Sequence, residues 1–473
     1  MMEIPCGMQE QFLEAKELIE SSNDIKIYTH TDCDGICSGA ILSIILDRLN
    51  KDYEIEFVNL DEIEDLDLDH KLTIFSDLGS GQGVDKNAKD GQKILILDHH
   101  PPLRDINYKN DKAYTYLEIN PMFYGIDGSY YVCGGGLCYF LAKTFGFKDL
   151  SWIGVLSAIG DMQNNKTGHF EGLNEIIQED AINEGLLKVT KNDLNIYGRS
   201  TRPLYVALSY FSDVKLPITN NQQEAKIVLE ELGVDEKHNR KTLSEVTEED
   251  KMEIKKFLSR MISKRVPPKY LKYVPKLIVG DAYTFLNEEE GSFLRDGSEF
   301  STAMNACGRN RKEAIGVDII KGDRLVALDA LEEVSKTHKY NLATSISKVA
   351  DNYHSEIIEL DNFQYFDCSD FDEDIASNII GTITGMVLGY CNWKKPILGF
   401  SKPKNNQIKV SLRCSKLLAY DGIHFGNMMR EIAKEVGGTG GGHAIACGAY
   451  IPNEKKSEFL DKFNRKLQGK IAN

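Results

Sequence analysis

Three potential metal ligands stand close together near residue 30. The segment YTHTDCDGICSG, residues 28–39, sets His30, Asp32 and Asp34 on alternating positions directly before Gly35. Carboxylate oxygens and imidazole nitrogens suit a hard or borderline divalent cation such as Mn²⁺ or Mg²⁺. If the segment continues a strand, the alternation of its side chains lets one strand end supply ligands to two cations.

Further ligand types follow apolar segments elsewhere in the first third of the chain. They are Asp77, then Asp98, His99 and His100 in DHHPP, and Asp161 in SAIGDMQNN. Bringing unpaired carboxylates together out of water costs several kcal/mol unless a cation compensates, so packing alone does not explain the set. Of these residues, as few as three carboxylates and two imidazoles would be enough to hold two cations if one aspartate bridges them.

Short apolar runs precede these residues and predict a parallel sheet. Residues 25–30, 72–77 and 93–98 are near-continuous apolar runs that each end in a polar residue, which is typical of central strands covered on both faces. After Gly35, apolar residues recur at helical spacing and predict a helix that follows a tight turn. Ligands of open α/β sheets bind beyond the carboxyl ends of the strands. We therefore expect the polar strand ends to face one crevice.

Two later regions have different patterns. From about 185 to 270 the chain becomes helical and charged, and Thr247 with Asp250 predicts the start of its clearest helix. We interpret the basic face of that helix as a solvated surface in preference to a nucleic-acid contact. From about 353 a second, smaller α/β pattern begins, with an amphipathic helix that ends at Gly437.

The length and composition of the chain limit the classes of protein to which it can belong. A chain of 473 residues without an apolar run of membrane-spanning length predicts two or three globular domains and no membrane insertion. No secretory signal is recognisable, so we expect a cytoplasmic protein. A net charge of −16 argues against binding polyanions through a generally basic surface. The ten cysteines lack the paired short spacings of zinc sites, and we interpret them as buried thiols.

The candidate ligands resemble the four motifs of the DHH phosphoesterases. HTDCDG at 30–35, Asp77 after an apolar strand, DHH at 98–100 and Asp161 after an apolar helix agree with that family in order and rough spacing. The resemblance implies an α/β fold. The chain is then expected to have a parallel-sheet DHH domain over 1–335, with a helical insertion at about 185–270. A connecting helix at 336–352 would lead to a smaller α/β DHH-associated substrate-binding domain over 353–473.

Three other segments narrow the resemblance. FSTAMNACGR, residues 300–309, resembles a segment of the RecJ branch, and residues 409–415 with 437–451 resemble the C-terminal DHH-associated domain. The chain ends soon after the glycine-rich segment, so the oligonucleotide-binding barrel of bacterial RecJ is expected to be absent. The length of this chain and its helical insertion are more similar to those of the archaeal RecJ-type nucleases, including those that associate with the GINS replication complex.

The resemblance also implies roles for the ligand set. One Mn²⁺ or Mg²⁺ ion would be held by His30, Asp32 and Asp77. The other would be held by Asp34, His99 and Asp161, with Asp77 as the bridge between them. Such a pair lowers the pKa of a water toward neutrality. Asp77 and His100 are the implied catalytic residues; His100 would donate to the phosphoryl oxygens, or alternatively orient a ligand through a hydrogen bond.

Phosphate contacts are implied in the later segments. The implied residues are Asn305, Arg309, Ser411, Arg413, Ser415, Gly441, Gly442 and His443. If 409–415 is a strand, Ser411, Arg413 and Ser415 share one face, where a guanidinium with two hydroxyls suits a phosphate. Glycines let a phosphate approach backbone N–H groups. Ordinary ion pairs at the arginines and a merely flexible glycine loop are the alternatives.

We expect, on this basis, a metal-dependent exonuclease that binds single-stranded nucleic acid in DNA replication or repair. The preference for DNA and the 5′ to 3′ polarity are implied by the resemblance alone. One alternative is the hydrolysis of oligoribonucleotides, a cyclic dinucleotide or an inorganic phosphate chain. Another is a replication scaffold that binds GINS or related proteins, with the segment 185–270 as a docking surface.

Overall fold

The computed structural model describes residues 2–60, 62–108, 113–234, 241–351, 354–371 and 373–471. The chain divides into two compact units, Met1–Asn192 with Asp281–Ser335, and Asp193–Gly280 with Lys336–Asn473. No helix in these described ranges combines the length and the apolar character that crossing a bilayer requires.

A five-stranded parallel sheet lies at the centre of the first unit. Its strands are β1 (Ile25–Thr29), β2 (Tyr53–Phe57), β3 (Leu72–Ser76), β4 (Lys93–Leu97) and β5 (Thr115–Ile119). They lie in the order β2-β1-β3-β4-β5. The three predicted strands are confirmed as β1, β3 and β4, each ending one residue before its polar residue. Strands β2 and β5 were not predicted, because their sequences are less apolar.

The parallel register aligns the carboxyl ends of four strands. Thr29 is opposite Ser76, Ser76 is opposite Leu97, and Leu97 is opposite Ile119. The residues that follow these strand ends therefore lie side by side along one edge of the sheet; they are His30, Asp77, Asp98 and Asn120. The prediction that the polar strand ends share one edge is confirmed.

Helices cover one face of this sheet. Those that contact the strands are α1 (Cys6–Glu20), α2 (Cys33–Arg48) and α3 (Gly134–Thr144), and α4 (Ser151–Gly160) and α5 (Leu173–Asn183) pack against this helical layer. Ile27, Ile74 and Leu95 point to this helical side and share one apolar cluster with it. The alternate residues Phe75 and Ile96 belong to a smaller cluster with the connecting segments on the other face. Burial on both faces explains why the central strands are almost wholly apolar.

Helix α2 begins earlier than the sequence predicted. Asp32 is its N-cap, and its carboxylate accepts a hydrogen bond from the amide of Gly35 at 3.1 Å. Asp34 consequently lies in the first helical turn, and the explanation by strand alternation was wrong. The reason is that an aspartate N-cap satisfies an otherwise unpaired amide of the first turn. A Cβ at Gly35 would come 2.1 Å from the carbonyl oxygen of His30, so this turn requires glycine.

The middle of the chain is helical, as predicted, and lies between two strands that pair with each other. In chain order the elements are β6 (Leu187–Leu194), α6 (Leu204–Ser209), α7 (Gln222–Glu231), α8 (Glu248–Ser263), α9 (Val274–Ile278) and β7 (Val279–Phe285). The predicted cap of α8 by Thr247 and Asp250 is confirmed. Lys251 departs from the expected solvated face: it is buried, with its ammonium 3.3 Å from Asp193 and 2.8 Å from Glu248.

Three helices follow: α10 (Gly297–Arg309), α11 (Glu313–Ile320) and α12 (Val326–Val349). Helix α10 packs against α2 and α4. Phe300 of α10 completes an aromatic cluster, with ring centroids 6.1 Å from Trp152 and 5.9 Å from Phe285. Helix α12 occupies the region of the predicted connecting helix, and residues 352 and 353, where the predicted domain boundary lies, are outside the described residues.

The C-terminal part contains a six-stranded mixed sheet. Its elements are β8 (Ile358–Glu359), β9 (Gln364–Asp367), α13 (Glu373–Met386), β10 (Ile397–Phe400), β11 (Gln407–Arg413), α14 (Lys416–Tyr420), α15 (Phe425–Glu435), β12 (Thr439–Gly442), β13 (Ala446–Pro452) and α16 (Lys456–Leu467). The strand order is β12-β13-β11-β10-β9-β8, with only the β9–β10 pair parallel among these described strands. The predicted α/β fold class, with a smaller C-terminal α/β domain, is confirmed.

The glycine run before His443 forms a strand, and the alternative of a merely flexible loop was wrong. Its residues pair with β13, and α15 packs against it. A Cβ at Gly438 would come 2.2 Å from the carbonyl oxygen of Tyr450, and one at Gly440 would come 3.0 Å from that of Met429. Close packing of the backbone therefore requires small residues here.

We predict that Phe300→Ala lowers the free energy of unfolding of the first unit by about 3–5 kcal/mol, because it leaves a cavity in the aromatic cluster. The chain has two tryptophans, Trp152 and Trp393. In a Trp393→Phe background, fluorescence during urea denaturation reports on the first unit alone. Phe300→Leu should cost less, and equal stability of Phe300→Ala and the parent protein would contradict the packing described.

Candidate metal centre

The first group of ligand atoms lies where β1 ends. Nδ1 of His30 lies 3.1 Å from Oδ2 of Asp32 and 3.5 Å from Oδ2 of Asp77. Asp32 comes from the start of α2, and Asp77 directly follows β3. All three ligand atoms lie within 4.8 Å of one another, a spacing that one cation can bridge.

The second group lies on the other side of Asp77. Nε2 of His99 lies 3.2 Å from Oδ1 of Asp77 and 3.6 Å from Oδ2 of Asp34. Ligand atoms of Asp34, His99 and Asp161 lie within 4.8 Å of one another. Asp77 thus turns Oδ1 toward one group and Oδ2 toward the other, as a bridging ligand would. The structure brings all six predicted ligands together, and their binding of metal stays a prediction.

The buried negative charge at this centre calls for a cation. Asp34 and Asp77 are each only 2% exposed, and Oδ2 of Asp77 accepts no hydrogen bond from the described residues. Burial raises the pKa of Asp34 well above its ordinary value, and the nearby Asp77 adds to the effect. No lysine or arginine in the described part of the chain forms an ion pair with either carboxylate. The donor set therefore fits divalent cations.

Both imidazoles hold protons tightly in this environment. Burial lowers the pKa of His30, but the carboxylates of Asp32 and Asp77 outweigh it and hold the pKa well above its ordinary value. Burial also lowers the pKa of His99, and Asp161 and Asp77 outweigh it in the same way. Protons on these rings offset part of the negative charge, and a cation competes with them for the same nitrogens.

The start of α3 holds Asp34 through backbone amides. The amides of Gly134 and Gly135 donate to Oδ2 and Oδ1 of Asp34 at 2.8 and 2.7 Å, and the hydroxyl of Ser157 donates as well. A Cβ at Gly134 would come 2.6 Å from Cβ of Asp77, and one at Gly135 would come 2.1 Å from Oγ of Ser157. These contacts were missed from the sequence, although the run CGGG at the start of an apolar helix was a usable signal.

His100 lies beside the ligand groups and hydrogen-bonds to Asp98. Its Nδ1 lies 2.8 Å from Oδ1 of Asp98, whose carboxylate also accepts from the amides of His100 and Ser80 at 3.2 and 2.9 Å. Burial raises the pKa of Asp98, but His100 outweighs it and holds that pKa below its ordinary value. The His100 side chain is 45% exposed. The ring of His100 is therefore fixed and accessible, and its predicted role as a donor stays a prediction.

Helix α10 supports the turn that carries Asp32. The side-chain oxygen of Asn305 accepts a hydrogen bond from the amide of Cys33 at 3.1 Å. A Cβ at Gly308 would come 1.6 Å from the carbonyl oxygen of Thr31, so this contact requires glycine. Asn305 thus has a structural contact that the sequence did not suggest. The predicted substrate contacts of Asn305 and of Arg309, the last residue of α10, stay predictions.

Ser411 and Arg413 lie together on one face of β11, facing α13. A Cβ at Gly381 would come 3.0 Å from Nη2 of Arg413 and 3.4 Å from Oγ of Ser411. Nη1 of Arg413 donates to the carbonyl oxygen of Leu412 at 2.8 Å, and burial lowers the pKa of the guanidinium. No described carboxylate forms an ion pair with this guanidinium. A desolvated cation of this kind fits an anionic group of a substrate.

Ser415 does not share that face. Strand β11 ends at Arg413, and the buried hydroxyl of Ser415 caps α14 by accepting from the amide of Leu417 at 3.3 Å. The prediction of one face for all three side chains was wrong, because the chain turns into a helix after Arg413. Gly441 and Gly442 lie in β12, and the amide of His443 donates to the carbonyl oxygen of Ala446 at 3.0 Å. Their contacts with substrate stay predictions.

Models of three domain families match this chain. The DHH family N-terminal domain matches residues 24–155, the DHH-CID domain matches residues 196–274, and the DHHA1 domain matches residues 361–469. The first range contains β1 to β5 with α2 and α3, the second lies in the helical middle segment, and the third contains most of the mixed sheet.

Individual relatives extend the comparison over most of the chain. Uncharacterized protein MJ0831 of Methanocaldococcus jannaschii is 31% identical over 446 residues, which are 93% of this chain and 92% of that protein. CDC45 from Entamoeba histolytica has a similar fold, with a TM-score of 0.61 at 15% identity over 98% of this chain and 99% of that one. RecJ in complex with Mn²⁺ from Thermus thermophilus gives a TM-score of 0.55 at 13% identity, over 99% of this chain and 55% of that one.

At these low identities the two solved structures show the fold alone. The domain matches, the full-length relative and the group of histidines and aspartates at the sheet edge agree with one another. This chain therefore belongs to the DHH/DHHA1 phosphoesterase family.

Proposed function

We propose that this protein is a two-metal phosphodiesterase that removes nucleotides from single-stranded nucleic acid, in the 5′ to 3′ direction on DNA. The observation that carries the proposal is the position of the buried Asp77, whose two carboxylate oxygens face two separate groups of ligand atoms. One carboxylate between two such groups suits a pair of divalent cations, and Mn²⁺ or Mg²⁺ suits the oxygen and nitrogen donors.

The ligands divide between the two cations by their positions. His30 and Asp32 would hold one, Asp34, His99 and Asp161 would hold the other, and Asp77 would contact both. When bound, the pair supplies the Lewis acidity that lowers the pKa of an attacking water and offsets charge on the phosphoryl group.

Other side chains prepare this site for the substrate. The amides of Gly134 and Gly135 keep Asp34 from rotating. Asp98 accepts from Nδ1 of His100 and fixes the ring. With both ring nitrogens protonated, Nε2 would donate to a phosphoryl oxygen as negative charge develops there.

An arginine and a serine of the C-terminal domain support a nucleic-acid substrate. Arg413 is half-buried and lies beside the hydroxyl of Ser411, next to glycines of α13. Because the net charge of −16 argues against a generally basic surface, local sites of this kind would bind a polyanion. The likeness of residues 300–309 to the RecJ branch favours an exonuclease. Small phosphoesters or short oligoribonucleotides are the competing substrates, and release of mononucleotides from a long strand separates these possibilities.

A role as a replication scaffold is a second proposal. It rests on the sequence likeness to GINS-associated nucleases, with the segment 185–270 as the docking surface. The presence of the whole predicted ligand set favours catalysis, and the two roles are compatible.

The proposed function predicts the outcome of a time course on end-labelled DNA and RNA strands with Mn²⁺ or Mg²⁺. We expect stepwise release of mononucleotides from the 5′ end of single-stranded DNA. Asp34→Asn should lower the rate about a thousandfold, because one cation loses a charged ligand. We expect little net change in the thermal midpoint of the metal-free variant, because relief of the repulsion from Asp77 is offset by the loss of one oxygen acceptor for the amides of Gly134 and Gly135.

Asp69→Asn is the matched control, because Asp69 forms an exposed ion pair with Lys89 away from the centre. It should keep full activity. Parent-like hydrolysis by Asp34→Asn at saturating Mn²⁺ would refute the ligand assignment. Faster turnover of dinucleotides than of long strands would remove the exonuclease proposal.

We also predict that Arg413→Ala raises KM for a long strand about tenfold or more with little change in kcat, because it removes a charged contact to phosphate. Arg465→Ala, at an exposed position of α16 in the same domain, is the control and should leave KM unchanged. An unaltered KM for Arg413→Ala would mean that this guanidinium serves the fold and does not bind substrate.

A further inference from the structure

Gln163 lies directly behind the second ligand group. It is 2% exposed, and its Nε2 donates to Oδ2 of Asp161 and to the carbonyl oxygen of Gly128, both at 2.8 Å. Its Oε1 accepts from Nδ2 of Asn174 at 2.6 Å. The two N–H groups and the oxygen of this side chain are therefore satisfied by three separate segments of the chain.

The carbonyl of Gly128 connects Gln163 to His99. Besides the bond from Gln163, it lies 2.7 Å from Nδ1 of His99. A carbonyl oxygen only accepts hydrogen bonds, so Nδ1 carries a proton whether or not Nε2 does. The nitrogen left to bind a cation is therefore Nε2, which faces Asp34 and Asp77. A Cβ at Gly128 would come 2.0 Å from the carbonyl oxygen of His99, so the loop approaches this closely only with glycine.

Asn174 of α5 fixes the orientation of the Gln163 amide. Because Asn174 donates to Oε1, the N–H groups of Gln163 must point to Asp161 and Gly128, and both of these are acceptors. Rotating the amide by half a turn would set an oxygen against a carboxylate and a carbonyl. The orientation of this glutamine is thus determined by its neighbours.

A strained helix end brings Gln163 to this position. Helix α4 ends at Gly160, Asp161 is its C-cap, and Met162 has a left-handed backbone with φ of 55°. The amide of Gln163 then donates back to the carbonyl oxygen of Ala158 at 3.0 Å. Glycine is the usual residue at such a left-handed position, and a methionine there carries a conformational cost. The turn sets the Gln163 side chain next to the carboxylate of Asp161.

We infer that Gln163 is a positioning residue for the second divalent cation, because it orients both Asp161 and His99. The inference rests on the proposed two-metal function and names a residue outside the predicted ligand set. Hydrogen-bond partners that orient metal ligands commonly change metal affinity 10–100-fold when they are removed. No contact of Gln163 reaches His30 or Asp32 among the described hydrogen bonds, so the first cation should be unaffected.

The test is calorimetric titration of the metal-free chain of 473 residues with Mn²⁺ at fixed pH. We expect the parent protein to bind two ions. Gln163→Leu, which keeps the size of the side chain and removes its amide, should weaken one of the two about 10–100-fold and leave the other unchanged. Asn174→Leu should weaken the same ion less, and the double variant should resemble Gln163→Leu alone, because both act through one amide.

Gln92→Leu is the matched control. Gln92 is also buried, donates to carbonyl oxygens of Leu68 and His70 and accepts from the amide of Lys89, but it precedes β4 at the opposite end of the sheet. It should lower the thermal midpoint without changing either Mn²⁺ affinity. This readout separates a role in orienting ligands from a loss of general stability.

The outcomes distinguish the inference from the proposed function. Two Mn²⁺ ions bound to folded Gln163→Leu with parent-like affinity would overturn the inference and leave the proposed function intact. Fewer than two ions bound by the parent protein would overturn the proposed function itself. If Gln163→Leu does not fold, Asn174→Leu decides, since an unchanged affinity for both ions in that variant would likewise overturn the inference.

Discussion

The burial of two carboxylates side by side is the constraint on which the rest of the first unit depends. Asp34 and Asp77 are removed from water and both face the imidazole of His99. Two helix amides and a hydroxyl bind Asp34, but Oδ2 of Asp77 has no donor among the described residues. Buried charge of one sign is unfavourable by several kcal/mol unless it is compensated. Divalent cations are the compensation that these donors fit.

Much of the surrounding backbone is shaped to bring segments close to those carboxylates. Gly35, Gly134 and Gly135 lie where a Cβ would collide with a neighbouring atom. Asp77 and Met162, which are not glycines, have left-handed backbones with φ of 58° and 55°. Strained residues of this kind cluster at functional sites, where the surrounding structure holds them. The backbone at this sheet edge is therefore locally strained, and the strained conformations bring the ligands close together.

Sequence reasoning succeeded where one local signal was decisive. Apolar runs ending in Asp77 and Asp98 mark buried parallel strands, and parallel strands place their carboxyl ends on one edge. It failed where the outcome depended on capping or packing. Asp32 and Ser415 became helix caps, and the glycine run before His443 became a packed strand. Contacts such as Gln163 to Gly128 join residues 35 positions apart through tertiary structure, which periodicity does not report.

The central claim is that the two ligand groups flanking Asp77 each bind a divalent cation. Anomalous X-ray scattering from crystals grown with Mn²⁺ tests this claim most directly. The account predicts two peaks about 3.5–4 Å apart, with one oxygen of Asp77 on each. One peak would be next to His30 and the other next to His99. A single peak, or manganese bound only at sites remote from Asp77, would contradict it.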